Sequence, residues 1–177
     1  MSNYKNSCFD ECDFENECCE FEPKCHEFEP KCHEFEPKCP RKCHRITLLE
    51  AISLVPQTVL AGLAVPFDTN LVNLGNGIIH TPGGTDFNLI QPGVYRVTFT
   101  GSVTPVGTTA GVALALNGSI IPGTTVTETV VAATIAALAT QAIVQVSPFI
   151  STVLTVVNPT AGIETFTNPN IIIEKIG

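Results

Sequence analysis

Cysteines carry most of the chemistry that this sequence could perform, and all eight of them lie within the first 45 of its 177 residues. They are Cys8, Cys12, Cys18, Cys19, Cys25, Cys32, Cys39 and Cys43. Cys25, Cys32 and Cys39 each end one copy of a tandem Glu-Phe-Glu-Pro-Lys-Cys repeat, and His26 and His33 separate the three copies. Thiols in such a segment could form disulfides, bind a metal or remain free.

The spacing of the cysteines favours disulfides between chains. A disulfide requires two Cα atoms within about 7 Å. Cysteines seven residues apart in an extended chain are too far from their immediate neighbours to pair, and the adjacent Cys18 and Cys19 can scarcely bond to each other. We therefore predict that all eight cysteines are candidates for inter-chain disulfides.

Metal binding is the alternative use of these residues. Three Cys-His pairs, beginning at Cys25, Cys32 and Cys43, offer the thiolate and imidazole ligands that suit zinc or copper(I). Structural zinc sites favour Cys-x₂₋₄-Cys spacings, and the segment has only two of these, one of them at Cys8–Cys12. We expect no ordered metal site and no cofactor, although eight cysteines could in principle form two sites.

Residues 1–45 lack the aliphatic side chains that a core needs, and proline recurs about every seven residues from Pro23. Proline disfavours a helix and also restricts the residue before it, so we expect an extended arm without a fold of its own. Phe21, Phe28 and Phe35 recur with the repeat and could dock on an adjacent subunit, or could be spacers in a solvated chain.

Charge is distributed very unevenly along the chain. Its net charge is −8, and residues 46–177 contain only two basic residues, Arg96 and Lys175. Nucleic acid is excluded as a partner because no basic patch exists to neutralise phosphates. No apolar window approaches the roughly 20 residues of a membrane helix. The N-terminus lacks the apolar region of a secretory signal, so we expect synthesis in a cytoplasm, where thiols are normally reduced.

The rest of the chain has the pattern of an all-β protein. Residues 46–75 are interpreted as a connector with one or two strands, and residues 76–177 as the folded domain. In the latter, strands are predicted at 87–90, 94–103, 112–116, 120–121, 124–135, 139–146, 153–157, 164–167 and 171–176. Turn sequences such as Asn117-Gly118 separate them. Short strands at this spacing predict an antiparallel sandwich or barrel.

Three stretches of this domain resemble known proteins. Gln91-Pro-Gly-Val-Tyr-Arg-Val-Thr-Phe is similar to the strand opening of TNF-like jelly rolls, the trimeric heads shared with complement proteins. Leu116-Asn-Gly-Ser-Ile-Ile-Pro-Gly-Thr and Asn170-Ile-Ile-Ile-Glu-Lys-Ile resemble the C-terminal domain of BclA-type exosporium proteins of bacterial spores. The resemblance covers about residues 70–177. It implies a homotrimeric TNF-like jelly roll on a spore surface, with no catalytic residues.

This chain lacks the collagen-like stalk of BclA-type proteins and has the cysteine-rich arm in its place. The resemblance therefore implies a structural subunit of an exosporium layer or an appendage fibre. Its partners would be copies of itself and other cysteine-rich spore-surface proteins. Such chains are made in the mother-cell cytoplasm and meet oxidising conditions after lysis. Alternatives are a metal-binding arm, or a ligand- or glycan-binding head with candidate loops at Asn158–Thr160 and Thr165–Pro169.

An enzyme is not expected. The folded part contains one histidine, His80, and a triad with Ser102 and Asp86 is possible by inventory alone, without a nucleophile-elbow pattern. We interpret His80 as a residue at a strand end on the surface or in a trimer seam. Glu174 and Lys175 are interpreted as a solvated or seam ion pair.

Overall fold

A computed structural model describes residues 46–131, 133–148 and 151–177, and residues Ile46–Gly177 form one compact unit. The described residues form twelve strands and no helix. The strands are β1 (Leu48–Ile52), β2 (Gln57–Val59), β3 (Thr69–Leu74), β4 (Ile78–Ile79), β5 (Phe87–Leu89), β6 (Gly93–Pro105), β7 (Thr109–Leu116), β8 (Ser119–Ile120), β9 (Val126–Thr129), β10 (Ala136–Val146), β11 (Thr152–Val157) and β12 (Glu164–Lys175).

The strands form two antiparallel sheets that pack face to face. The first sheet has the order β10-β6-β12-β1-β3, and β2 also pairs with β12. The second has the order β4-β5-β11-β7-β8, and β9 also pairs with β7. This architecture confirms the prediction of an all-β antiparallel jelly-roll sandwich.

Alternation along the strands builds the core between the sheets. In β6, Tyr95, Val97 and Phe99 are fully buried, and the residues between them point to the other face, as the sequence predicts. Phe99 meets Phe166 of β12 edge to face, with ring centroids 6.5 Å apart. Aromatic side chains therefore join the two central strands of the first sheet.

The segment 46–75 is not a connector. Its strand β1 pairs along its whole length with β12, from Leu48 opposite Glu174 to Ile52 opposite Asn170, and β3 pairs with the other edge of β1. The jelly roll thus begins at Ile46 rather than at residue 76. The five residues of β1 are too few to show their pairing in the local sequence, and the β12 residues with which they pair lie more than 100 positions away.

Two strand boundaries also differ from the predictions. The predicted strand 124–135 is a strand only at Val126–Thr129, and the next strand begins at Ala136 rather than at residue 139. The predicted strands 164–167 and 171–176 are one strand, β12, whose register with β6 shifts between Thr167 and Asn170. Asn168 has a φ of +49° at this irregularity, so the Asn-Pro sequence there produces a bulge rather than a strand end.

The hairpin predicted at Asn117-Gly118 is present. Both residues have positive φ, +49° and +80°, as a two-residue type I′ turn requires. The turn places Leu116 of β7 opposite Ser119 of β8, and the Asn117 side chain accepts a hydrogen bond from the Val153 amide at 2.8 Å.

The burial pattern predicts different costs for the same substitution at two neighbouring valines. Val103 is fully buried in β6, whereas Val106 is 70% exposed just beyond its end. We expect Val103→Ala to lower the free energy of unfolding by about 2 kcal/mol through lost burial and a cavity, and Val106→Ala to lower it by less than about 0.5 kcal/mol. Urea denaturation of the reduced chains measures both, and equal losses would contradict this assignment of the core.

Candidate functional site

The residues for which the sequence predicts covalent chemistry lie outside the described residues. These are all eight cysteines and the three repeated phenylalanines, Phe21, Phe28 and Phe35. Inter-chain disulfide formation and phenylalanine docking therefore remain predictions. Functional geometry can be read from the jelly roll itself.

One extended surface of the jelly roll has all of its charged side chains paired within it. We call it the outer face: the side of the first sheet that points away from the core. Its members are neighbours across β1, β12, β6 and β10 in the observed register. They are Leu48, Glu50, Ile52, Arg96, Thr98, Thr100, Ser102, Ala137, Ala139, Gln141, Ile143, Thr167, Asn170, Ile172 and Glu174.

The three charged residues of the outer face have partners on that face. Arg96 and Glu174 form an ion pair at 3.0 Å between directly opposite positions of β6 and β12. The Asn170 amide donates to the Glu50 carboxylate at 2.8 Å. Glu174 therefore pairs with Arg96 across the sheet and not with its chain neighbour Lys175, because successive side chains of a strand point to opposite faces. The rest of the outer face is aliphatic, hydroxyl or amide.

His80 lies in the interior and not at the surface, which corrects the sequence interpretation. The residue is 6% exposed, and its ring stacks on Phe87 with centroids 4.3 Å apart. Nδ1 lies 2.6 Å from the Asn70 side-chain oxygen, and Nε2 lies 3.2 Å from the Gly84 carbonyl oxygen. Burial lowers the pKa of His80, while the Gly84 carbonyl and the nearby Asp86 charge oppose this shift.

The histidine is not arranged as a general base. Both of its ring nitrogens face the oxygen atoms of Asn70 and Gly84, while Ser102 lies on β6 of the first sheet. The Asp86 carboxylate accepts a hydrogen bond from the Thr85 hydroxyl at 2.8 Å. His80, Ser102 and Asp86 are therefore not arranged as a catalytic triad.

A buried carboxyl group, which the sequence gives no reason to select, lies at the start of β12. Glu164 is fully buried, and its Oε1 accepts hydrogen bonds from the Gly111 amide at 2.7 Å and from the Thr160 hydroxyl at 3.2 Å. Oε2 has no hydrogen-bond partner among the described residues. Burial raises the pKa of Glu164, and the two donors to Oε1 offset part of this rise. The backbone at Gly111 approaches closely here, since a Cβ atom would lie 2.6 Å from Thr160 Cγ2.

Large aliphatic side chains are exposed around Glu164, at the end of the sandwich where β6 ends and β12 begins. We call this region the apolar end. The Val106 amide donates to the Ile163 carbonyl at 3.0 Å, and the Ala133 amide donates to the Pro105 carbonyl at 3.3 Å, so three loops meet there. Its exposed members are Leu60, Leu63, Val106, Val131, Ile135 and Ile163.

A cavity of about 300 Å³ opens between the loops of the apolar end. Pro105, Ile163 and the methyl-bearing Thr160 contribute to its wall, together with Gly107 and Gly162. The sequence signal that could have indicated this region is aliphatic residues inside turns, such as Val106 beside Gly107, where polar residues are usual.

The two loops suggested for a glycan-binding head do not form an open polar site. Asn158 is fully buried, and its side-chain amide donates to the backbone carbonyls of Val59 and Gly162 at 3.2 and 2.9 Å. Its oxygen accepts from Thr160. The stretch Thr165–Pro169 belongs to β12 and is not a loop.

The described ranges contain neither a metal-ligand cluster nor a membrane-spanning helix. Among residues 46–131, 133–148 and 151–177, no group of three or more His, Cys, Asp or Glu side chains could hold a metal ion. In the same ranges there is no helix long and apolar enough to cross a membrane.

Comparisons with known proteins identify the fold. No protein-family model and no curated protein sequence matches the chain. Murine APRIL in a crystal structure at pH 5.0 is similar, with a TM-score of 0.60 and 11% identity over 75% of this chain and 100% of that one. The globular domain of zebrafish complement 1qA has a TM-score of 0.55 and 10% identity over 73% and 95%. Eiger, a TNF from S. frugiperda, has a TM-score of 0.55 and 13% identity over 75% and 94%. The domain therefore has the TNF-like jelly-roll fold that the sequence predicts.

Glu164 predicts a specific pH dependence of stability. Because its pKa is raised in the folded state, the folded domain binds more protons than the unfolded chain just above the ordinary glutamate pKa of about 4.3. Wild type should therefore lose stability relative to Glu164→Gln as the pH rises from about 4 through the raised pKa, and the difference should then become constant. Urea denaturation of both reduced chains over this range tests it, and a difference that does not change with pH would contradict it.

Proposed function

We propose that this protein is a structural subunit of the bacterial spore surface, in an exosporium layer or an endospore appendage fibre. It self-associates as a homotrimer through its jelly roll, and disulfides from its N-terminal cysteines join copies to one another and to other cysteine-rich spore-surface proteins. It is synthesised in the mother-cell cytoplasm and is oxidised after the mother cell lyses.

The outer face of the first sheet carries this proposal. It spans four paired strands, and its three charged residues are satisfied by partners on that same face. Neutral side chains and paired charges are easier to cover with a second protein than unpaired charges, because an unpaired charge would lose its hydration without compensation. Ile172, near its centre, is 38% exposed and is directly opposite Glu50 and Thr98. The outer face is therefore suited to contact between copies.

Three further observations support a structural role. The TNF-like fold agrees with the resemblance of the chain to BclA-type heads, and the most specific piece of that resemblance, Ile171–Lys175, lies in the second half of β12. All eight cysteines precede the domain, so their oxidation leaves its core chemically unchanged. The described His80 has both ring nitrogens next to the oxygen atoms of Asn70 and Gly84, in keeping with a structural role for this residue.

Denaturing electrophoresis tests the covalent part of the proposal. Oxidised full-length protein, boiled without reductant, should give a ladder or material too large to enter the gel. Reductant should convert it to one band at 18.9 kDa. The chain with all eight cysteines replaced by serine should give that single band in both lanes. A monomer band from the oxidised wild type would contradict cross-linking.

A charge on the outer face tests the non-covalent part. Ile172→Lys places an ammonium group in the proposed seam, where the loss of its hydration on burial costs several kcal/mol and can exceed its attraction to Glu50 on the opposite strand. In reductant, sedimentation should show wild type at about three times 18.9 kDa and the variant as a monomer, with association at least tenfold weaker.

Ile120→Lys is the matched control for the outer-face experiment. Ile120 is similarly exposed, at 46%, but lies on β8 of the second sheet. Its replacement should leave the trimer intact. Dissociation of both variants, or of neither, would show that the outer face is not the seam.

A further inference from the structure

The apolar end contrasts with the rest of the surface. Six large aliphatic side chains, contributed by four loops, are each at least 40% exposed there, and one of them, Ile163, also lines the cavity. Exposed clusters of this kind on a soluble domain indicate a surface that a partner covers. The described charges near it are few: Glu164 is buried and Glu128 lies on the neighbouring strand β9.

The cavity has the size and lining for an aromatic ring. A protein cavity of roughly 150 Å³ lined by apolar groups accommodates benzene, and this one measures about 300 Å³. One proline, one isoleucine, one alanine, two glycines and four threonines line it, so the wall combines methyl groups with neutral hydroxyls and contains no charged side chain. It therefore suits a side chain that is apolar at the tip and belongs to an otherwise polar segment.

The N-terminal segment of the same chain contains such side chains. Phe21, Phe28 and Phe35 each stand between two glutamates in the repeat and are its only large apolar residues. The glutamates keep such a segment soluble, and the phenyl group is the part that gains by burial, so each repeat has the composition of a ligand for the cavity.

The topology of the jelly roll favours a second copy as the source of the segment. Strand β1 starts at Leu48 opposite Glu174 and runs towards the apolar end, so the chain enters the domain at the opposite end. Strand β6 alone spans about 40 Å between the two ends, at about 3.3 Å per residue. At a polyproline rise of about 3.1 Å per residue, Phe35, eleven residues before Ile46, reaches about 34 Å and falls short of the cavity of its own chain. Phe28 and Phe21 lie farther along the chain and reach that cavity only if the segment runs back along the full length of the domain, which a second copy placed end to end does not require.

We propose that the apolar end binds phenylalanine of the Glu-Phe-Glu-Pro-Lys-Cys repeat from the N-terminal segment of a second copy of this chain. A copy placed with its apolar end towards the start of β1 brings its cavity within reach of all three repeats. The two contacting surfaces differ, so the interface is head-to-tail and each subunit offers a free site to the next one. Docking also holds the repeat cysteine, four residues after each phenylalanine, beside a neighbouring subunit.

Disulfide trapping between two different chains tests this inference. The acceptor chain carries serine in place of the eight N-terminal cysteines and the substitution Gly107→Cys, at a cavity position where an added Cβ meets nothing within 4 Å. The donor is the unmodified chain. With oxidised glutathione as oxidant, we expect a mixed disulfide between position 107 and Cys25, Cys32 or Cys39, identified by mass spectrometry.

Two controls make the trap specific. An acceptor with Ile90→Cys instead presents an exposed thiol between β5 and β6, near the opposite end, and should give at least tenfold less adduct. A donor with Phe21, Phe28 and Phe35 replaced by alanine should lower the yield at position 107 about tenfold. If the Gly107 variant fails to fold, Gly162→Cys offers a second cavity position with open space around its Cβ.

Each contrary outcome has a defined meaning. Equal yields at positions 107 and 90, or a yield that does not depend on the phenylalanines, would overturn the inference. An adduct that forms only within one chain, when Gly107→Cys is combined with the native N-terminal segment, would show that the occupant is not a second copy. The inference rests on one part of the proposed function, namely that the N-terminal segment of one copy links it to another copy. If the unmodified chain still forms reducible multimers while no adduct appears at 107, the proposed function stands and the docking site is wrong.

Discussion

The pairing of β12 with its neighbours is the interaction on which the rest of this jelly roll depends. One edge of β12 bonds to β6 over nearly its whole length, and the other edge bonds to β1 and β2. Its inward side chains, among them Phe166, Ile171 and Ile173, are fully buried in the core. Its first residue, Glu164, fixes the loop after β11 and the start of β7. Removal of this strand would separate β1 and β3 from β6 and β10, so the sheet that supplies the outer face exists only because β12 joins its two parts.

The two surfaces argued to contact other copies arise from different physical causes. The outer face follows from the alternation of the central strands: the inward positions are occupied by the core, and the outward ones are neutral or internally paired. The apolar end comes from loops, in which Val106, Val131 and Ile163 are exposed because no strand or loop of the described domain passes over them. Under the two proposals, one small domain makes a side-by-side contact and an end-to-end contact through different surfaces. That combination suits a repeating assembly more than a solitary head.

The local sequence pattern correctly predicted those parts of the fold that depend on interactions between residues close together in the chain. The alternation around Tyr95 and the turn at Asn117-Gly118 are set by side-chain period and backbone conformation, and both predictions are confirmed. The predictions that were wrong concern residues whose position depends on partners distant in sequence. Strand β1 is too short to be recognised without β12 beside it, and His80 is buried because Phe87 and Asn70 close around it. The buried Glu164 and the apolar end could not be located from composition, since both require knowledge of which loops meet. Predictions about the cysteines concern residues outside the described part of the chain and remain predictions.

The position of β12 in the chain also fixes an order of events during synthesis. A ribosome releases the cysteines first and β12 last of the twelve strands, so the thiols are exposed while the domain is still unable to close its first sheet. Contacts between β1 and β12 span more than 100 residues, and folding that depends on such distant pairings is slow. During that interval an oxidised thiol would tether chains that have no folded body to position them. Under the proposed function, synthesis in a reducing cytoplasm would give the domain time to fold before oxidation links the chains.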